Sequence, residues 1–225
     1  MSYLSRLVST VSHLSKVKIP CDYWDVRVED SFETSIDIVD GEVVTCTSSP
    51  SLGAFIRVRK EGFWLYESTT DLSQLEGILI NLSQQTIVDI VDETDKSEPN
   101  YNPSRQEPFV QLTAMETKFS GVPLADKLST TQKYSQLLHQ NHKISSTHIR
   151  YRDIYKIKSF LNSVGTQFEY DFNQGGIVCR YTLKENEVLF EDNFRLYGAE
   201  FTQLQNHESS LTKALAESEK FLQAP

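Results

Sequence analysis

The 225 residues carry 31 acidic side chains against 22 lysines and arginines, a net charge of −9, with 39% of the chain hydrophobic. That excess of negative charge repels a phosphate backbone on average, so nucleic-acid binding is excluded as the leading reading. No apolar run approaches the roughly 18 residues of a membrane span, and the start "MSYLSRLVSTVSHLSK" lacks the continuous apolar stretch of a secretory signal. The expectation is a cytoplasmic protein without a membrane partner.

Taken in chain order, Leu4, Leu7, Val8, Val11, Leu14 and Val17 recur at three- and four-residue spacing, which predicts a helix that Pro20 stops. From Asp22 the period changes to two. Trp24, Val26 and Val28 alternate with Asp25, Arg27 and Glu29, and Ile36 and Ile38 repeat the pattern after a break, as half-buried strands do. Asp40-Gly41 then predicts a two-residue hairpin, because both central positions of such a turn need positive φ. "TSSPSLG" reads as a loop before Ala54, Ile56 and Val58, and Lys60-Glu61-Gly62 turns the chain into "FWLYES". Ser73 and Glu76 have capping-box spacing ahead of a helix whose apolar stripe is Leu75, Ile78, Leu79 and Leu82.

"DETDKSEPNYNPSRQEP" is charged and proline-rich, and reads as a linker or extended surface loop. Beyond it a helix is expected from about Ser129 to His142 with Tyr134, Leu137 and Leu138 inward. Strands follow through "STHIRYRDIYKIKSF", "TQFEYDF", "GIVCRYTLK" and "NFRLYGAEFTQL", and a last helix carries Leu211, Leu215, Phe221 and Leu222. "FLNSVGT" is a turn, in which Asn162 tolerates unusual backbone angles, Ser163 bonds neighbouring backbone and Gly165 takes positive φ. "NQGGI" reads as a hairpin turn. The basic run from His148 to Lys158 alternates with Ile and Tyr as the solvated face of a strand does. The expected class is α+β, in two sequential units that are each a mainly antiparallel sheet packed with helices: residues 1–92, a linker over 93–127, and residues 128–225.

Chemistry is sparse. His139 and His142 are three apart on an expected helix, but no Glu follows His139 to make an H-E-x-x-H pair, so a helix end on the surface is the reading preferred over a metal site. Cys21, Cys46 and Cys179 are too scattered for a disulfide framework or a metal knuckle. There is no G-x-S-x-G elbow and no phosphate-binding glycine loop. Asp89, Asp92, Glu93 and Asp95 read as a solvated charge run. Twelve Phe, ten Tyr and two Trp are a generous aromatic set, and Phe63, Trp64 and Tyr66 are candidates to line a peptide groove.

The stretch from Asp22 to Leu79 resembles the first domain of the TldD/PmbA family of metalloproteases, also called modulators of DNA gyrase. The likeness rests on Val26-Arg27-Val28, Asp40-Gly41, Gly53 followed by Ile56-Arg57-Val58, Gly62-Phe63-Trp64, Ser68 and Asp71-Leu72. Asn162, Ser163 and Gly165 in "FLNSVGT" are similar to a turn of the family's second domain, with "ADKLSTTQKYSQLL" before it and "ALAESEKFLQAP" after it in the expected places. The resemblance implies Arg27, Asp40, Gly41, Gly53, Arg57, Gly62, Asn162, Ser163 and Gly165 as pattern residues with structural roles. It also implies proteolysis of linear peptides by paired related subunits, with zinc held by an H-E-x-x-x-H helix in a further domain that begins just past an Ala-Pro like Ala224-Pro225. That motif has no counterpart here. The expectation is therefore a chain with no cofactor and no catalytic or metal residue of its own, inactive alone, which helps enclose a peptide path and pairs with a related subunit as a homo- or heterodimer. The alternative is a free-standing module that binds a peptide or protein without catalysis. A DNA-binding regulator, as the older family name suggests, is weak against the charge of −9.

Overall fold

The structure is a computed structural model that describes residues 11, 13–86, 109–112 and 118–223. Its chain order is β1 (Tyr23–Val39), β2 (Glu42–Lys60), β3 (Phe63–Thr69), α1 (Leu75–Gln84), β4 (Phe109–Gln111), α2 (Leu124–His139), β5 (Ile144–Asn162), β6 (Gln167–Glu185), β7 (Val188–Gly198) and α3 (Glu208–Glu219). It is an α+β protein, as expected, with a large and mainly antiparallel sheet; β4 against β6 is a parallel pair. The charged linker, with Asp89, Asp92, Glu93 and Asp95, and most of the N-terminal helix stripe lie outside the described residues.

Two compact units are assembled from interleaved segments, not from one stretch of sequence each. The first takes Met1–Ser31, Ser51–Thr113 and Lys156–Asp171; the second takes Phe32–Pro50, Ala114–Tyr155 and Phe172–Pro225. The boundaries differ from the expected 1–92, 93–127 and 128–225 because β1, β2, β5 and β6 are 17 to 19 residues long, and each gives part of its length to either unit.

In the first unit the strands run in the order β3-β2-β1-β5-β6-β4. Its core holds Trp24, Val26 and Val28 of β1, Ala54, Ile56 and Val58 of β2, Ile157 and Leu161 of β5, and the predicted stripe of α1, with Val11 and Leu14 also buried. The Glu61-Gly62 turn has φ of 52° and 86°, the left-handed pair that a two-residue hairpin needs. The cap of α1 is not Ser73. A short 3₁₀ turn over Leu72–Gln74 precedes the helix, and Asp71 Oδ1 accepts the Ser73 N–H at 3.0 Å and its hydroxyl at 2.6 Å. A carboxylate two residues ahead of those donors outcompetes the hydroxyl for the helix start.

In the second unit β2, β1, β5, β6 and β7 follow one another. Ile36 and Ile38, Ile149 and Tyr151, and Ile177, Cys179, Tyr181 and Leu183 project from them into one apolar cluster with Tyr134 and Leu138 of α2 and Leu211 and Leu215 of α3. Tyr134 donates to the Leu204 carbonyl at 2.8 Å, and burial pushes its phenol up to about 12. Leu137 is partly buried against the cluster, while Phe221 is 58% exposed and stacks on Phe190 at 4.9 Å. The Asp40-Gly41 hairpin forms as expected, with φ of 46° and 88°.

Two expected interruptions are continuous strand. "TSSPSLG" lies within β2; its composition reflects the exposure of Thr47, Ser49, Pro50, Ser51 and Leu52, while Ser48 shares a hydroxyl hydrogen bond at 3.0 Å with the buried Thr34 of β1. Pro50 is tolerated because β3 pairs with β2 only as far as Ala54, leaving Pro50 on an open edge. Nor is "NQGGI" a turn: Gly175 and Gly176 sit inside β6, paired with Gly198 and Tyr197 of β7. A Cβ on Gly175 would stand 2.5 Å from the Phe119 ring, and one on Gly176 would stand 2.7 Å from the Tyr197 ring and 2.8 Å from the Leu196 carbonyl. The glycines serve close packing, not reversal of the chain.

Candidate functional site

The residue types that the sequence singled out converge most closely in the first unit. Residues at odd positions of β1 alternate with the buried Trp24, Val26 and Val28, so Asp25 and Arg27 occupy the opposite side of the strand. Asp25 is nevertheless fully buried. Arg57 donates to it from Nε at 3.0 and 3.2 Å and from Nη2 at 2.6 Å, and Arg27 Nε stands 3.4 Å away. The Arg57 guanidinium lies over the Trp64 ring at 4.7 Å, and Trp64 meets Tyr23 edge-on at 5.8 Å. On the other flank Arg27 lies 5.8 Å over Phe160, which stacks on Phe168 at 4.8 Å, and Phe168 adjoins Tyr170 at 6.1 Å. The result is a stripe in which guanidinium and aromatic planes alternate over one buried carboxylate.

A hollow of about 290 Å³ opens at the Phe160 end of the stripe, bounded by Arg27, Glu29, Lys158, Phe168 and Tyr170. Glu29 binds Lys156 at 2.7 Å and Lys158 at 3.1 Å. Burial pushes its carboxyl up, but the hydrogen bonds and charges of the two lysines outweigh that and hold it below the usual range. Of the three groove candidates, Tyr66 is 69% exposed beside Phe55, Trp64 is half-buried in the stripe, and Phe63, one residue out of phase with them, pairs with Lys60. Gly53 and Gly62 shape β2 and its hairpin; they bring no chemistry to the stripe.

The "FLNSVGT" turn closes the same unit by a route the sequence did not reveal. Asn162 keeps ordinary strand geometry at the end of β5, and its side-chain oxygen accepts the N–H groups of Val164 at 3.2 Å and Thr166 at 2.8 Å. Ser163 bonds not its neighbours but Trp24: its hydroxyl accepts the Trp24 N–H at 3.2 Å and its own N–H donates to the Trp24 carbonyl at 2.9 Å. Gly165 takes φ 86°, as expected. The turn thus clips β5 to the start of β1.

In the second unit the basic run is a cross-strand charge cluster. Asp37 accepts from His148 at 3.0 Å, Arg150 at 3.3 Å and Arg152 at 2.7 Å. Burial raises the Asp37 carboxyl, and the hydrogen bonds from His148 and Arg152, with the Arg152 charge, more than reverse this. Sequence reasoning missed a buried ion pair on the opposite side of the sheet. Lys127 of α2 and Asp153 of β5, both without exposed side-chain surface, meet at 2.7 Å; Lys127 also donates to Thr34 at 2.7 Å, and Tyr151 donates to the same carboxylate. Burial lowers the Lys127 ammonium, opposed by Asp153, and raises the Tyr151 phenol. The only sequence signal was a Lys at an inward helix position and an Asp in phase with Ile149 and Tyr151.

His139 stands against Gly41, with Nε2 3.0 Å from where a Cβ would be, while His148 is engaged by Asp37. Among the described residues no three His, Cys, Asp or Glu side chains are grouped as a zinc site would require. No helix among them is long and apolar enough to cross a membrane.

Residues 24–92 match the family described as PmbA/TldA metallopeptidase domain 1. The metalloprotease slr0863 of Synechocystis sp. is 27% identical over 157 residues, which are 69% of this chain and 33% of that protein. Among solved structures, a protein described as a modulator of DNA gyrase from Bacteroides thetaiotaomicron superposes with a TM-score of 0.70 at 18% identity, over 96% of this chain and 50% of its own. TldE from Thermococcus kodakarensis does so with a TM-score of 0.67 at 9% identity, over 97% and 47%. The chain spans about a third of the curated relative and about half of the solved chains, and at these identities the structural likeness speaks to fold. The matched segment holds Arg27, Asp40, Gly41, Gly53, Arg57 and Gly62 in order, and over residues 24–92 the chain is similar to the first domain of the PmbA/TldD metallopeptidase family.

Proposed function

We propose that this chain supplies the non-catalytic framework of a PmbA/TldD-type metallopeptidase: it lines part of a peptide path and pairs with a related subunit, while metal-assisted hydrolysis belongs to a zinc-binding domain elsewhere in the assembly. The observation that carries this reading is the guanidinium–aromatic stripe, of which Asp25, Arg27, Arg57 and Trp64 lie in the matched segment and Phe160, Phe168 and Tyr170 come from β5 and β6. Its planes are held by Asp25 and by one another, leaving Phe55, Tyr66 and Tyr170 exposed along it. Rigid aromatic surface beside sheet backbone suits an extended peptide, which gains main-chain hydrogen bonds at a strand edge and side-chain contacts on a face with little demand on sequence. Such contacts position a peptide; they activate no water.

The test is peptide cleavage and peptide binding measured with the purified chain alone and after mixing with a zinc-bearing subunit of the same family. Binding of an unstructured peptide by the chain alone, weakened by Tyr66→Ala, with cleavage only in the mixture, is the expected result. Cleavage by the chain alone that a chelator abolishes would overturn it. Peptide binding with no response to any zinc-bearing subunit would favour a free-standing binding module.

A further inference from the structure

Strand β7 ends the strand order of the second unit and, among the described residues, pairs only with β6, so one side of its 11-residue backbone meets no described strand. Edge strands are ordinarily blunted by being short or by inward or lysine charges. This one has an inward charge, Asp192, which accepts from Ser218 Oγ at 2.6 Å, yet it is long and it exposes Val188 (46%), Leu189 (63%) and Tyr197 (63%). Its order of side chains is self-complementary. From the geometry of β7 we infer that it is an interface for a second copy of this chain, pairing antiparallel with its own counterpart about a two-fold axis through Asn193. This rests on the proposal of subunit pairing and names the surface and register that pairing would use.

A two-fold axis perpendicular to the sheet keeps each face on the same side, so directly opposed residues share parity and the axis must pass through a residue. Asn193 is the midpoint of Val188–Gly198, and an axis there overlaps the full strand. It sets Glu191 opposite the second copy's Arg195, and Leu189 opposite its Tyr197, twice each by symmetry. On the other face Phe190 meets Leu196, and Asp192, held by Ser218 Oγ at 2.6 Å, stands opposite Phe194. Moving the axis to Asp192 would oppose two copies of that carboxylate and place Leu189 against Arg195; moving it to Phe194 would strand Glu191 against Tyr197. Of the three axes, that through Asn193 alone opposes Glu191 to Arg195. Glu191 and Arg195 are both exposed, and Arg195 Nε is already steadied by Asn193 Oδ1 at 2.6 Å. Asp192 Oδ1 accepts the Asn193 N–H at 2.7 Å, a local cap that an incoming strand would displace. With −9 on each copy the long-range field is repulsive, so attraction must come from these short-range pairs.

The test is sedimentation equilibrium of the full 225-residue chain and of Glu191→Arg, Arg195→Glu and the double exchange, with circular dichroism to confirm that each is folded. The wild type is expected to dimerise. Each single reversal converts two attractive pairs into two repulsive ones and should raise the dissociation constant by about tenfold or more; the double exchange should return it to within about threefold of wild type. A wild type that stays monomeric, a dimer indifferent to both reversals, or single losses that the double exchange fails to restore would each overturn the register. An indifferent dimer, or association with a different family subunit alone, would leave the proposal of subunit pairing standing through another surface; failure to associate with itself or with any such subunit would remove both.

Discussion

Replacing Arg57 by Met tests whether the stripe is held by its buried carboxylate. Asp25 has no exposed side-chain surface and receives three close contacts from Arg57, the shortest 2.6 Å, whereas Arg27 stands at 3.4 Å and is 53% exposed. Removing Arg57 leaves a buried carboxylate with one weak, solvent-screened partner, at a cost of about 3–5 kcal/mol. Trp64 loses the guanidinium 4.7 Å above its ring, adding about 0.5–1 kcal/mol. Against a domain stability of about 5–15 kcal/mol the single variant should be close to unfolding. The paired variant Asp25→Leu with Arg57→Met removes both charges, and should recover most of the loss because a buried ion pair is worth little more than well-packed apolar groups. Both tryptophans lie in this unit, so their fluorescence during urea unfolding reports on it directly. A loss below about 1 kcal/mol for Arg57→Met, or a double variant whose loss is the sum of the singles, would refute the reasoning.

Three further outcomes are expected. Gly175→Ala, which drives a methyl into the Phe119 ring, should cost about 1–3 kcal/mol, and Gly62→Ala, whose site is open but has φ 86°, about 1 kcal/mol; equal losses in thermal melts would speak against a packed mid-strand Gly175. Ser163→Ala deprives the Trp24 N–H of an acceptor and should cost about 1 kcal/mol, and no loss in urea midpoint would mean that the turn does not clip β1. Glu169 is buried, which raises its carboxyl above 4.5, with the Ser159 hydroxyl at 2.7 Å only partly opposing. The folded protein therefore holds that proton more tightly than the unfolded chain, so this group's contribution is fully favourable below the unfolded value and is lost as pH rises through the folded one. Glu169→Gln should raise the urea midpoint at pH 7 and lessen the decline between pH 4 and pH 7; an unchanged decline would reject the assignment.

What was legible in the sequence is what local chemistry decides. Asp40-Gly41 and Glu61-Gly62 turn where their positive φ values say they must, and the stripes of α1, α2 and α3 bury the residues that their spacing selects, except for the partly buried Leu137 and the exposed Phe221. Strand continuity was not legible, because Gly175 and Gly176 carry the composition of a turn and are strand only through Phe119 and Tyr197, which approach from other parts of the chain. The same holds for "TSSPSLG", whose polar side chains record exposure while its backbone remains in β2. The 3₁₀ turn ahead of α1 was hidden for a different reason: Ser73 and Asp71 compete for the same donors, and spacing alone does not rank a carboxylate against a hydroxyl.

Alternation along β1 assigned Asp25 and Arg27 to the polar side of a half-buried strand, and that side is where they are, yet Asp25 has no exposed surface at all. Burial on the outer side of a sheet requires a roof, and the roof here consists of the Arg57 and Arg27 guanidiniums backed by Trp64 and Phe160. Arg57 would be a mobile surface side chain in isolation; held to one carboxylate by its Nε and Nη2 and stacked on Trp64, it has little rotamer freedom left to lose. On the proposed reading, a peptide laid on such a face would meet planes already in position, and the saving in ordering entropy would favour binding with little demand on sequence.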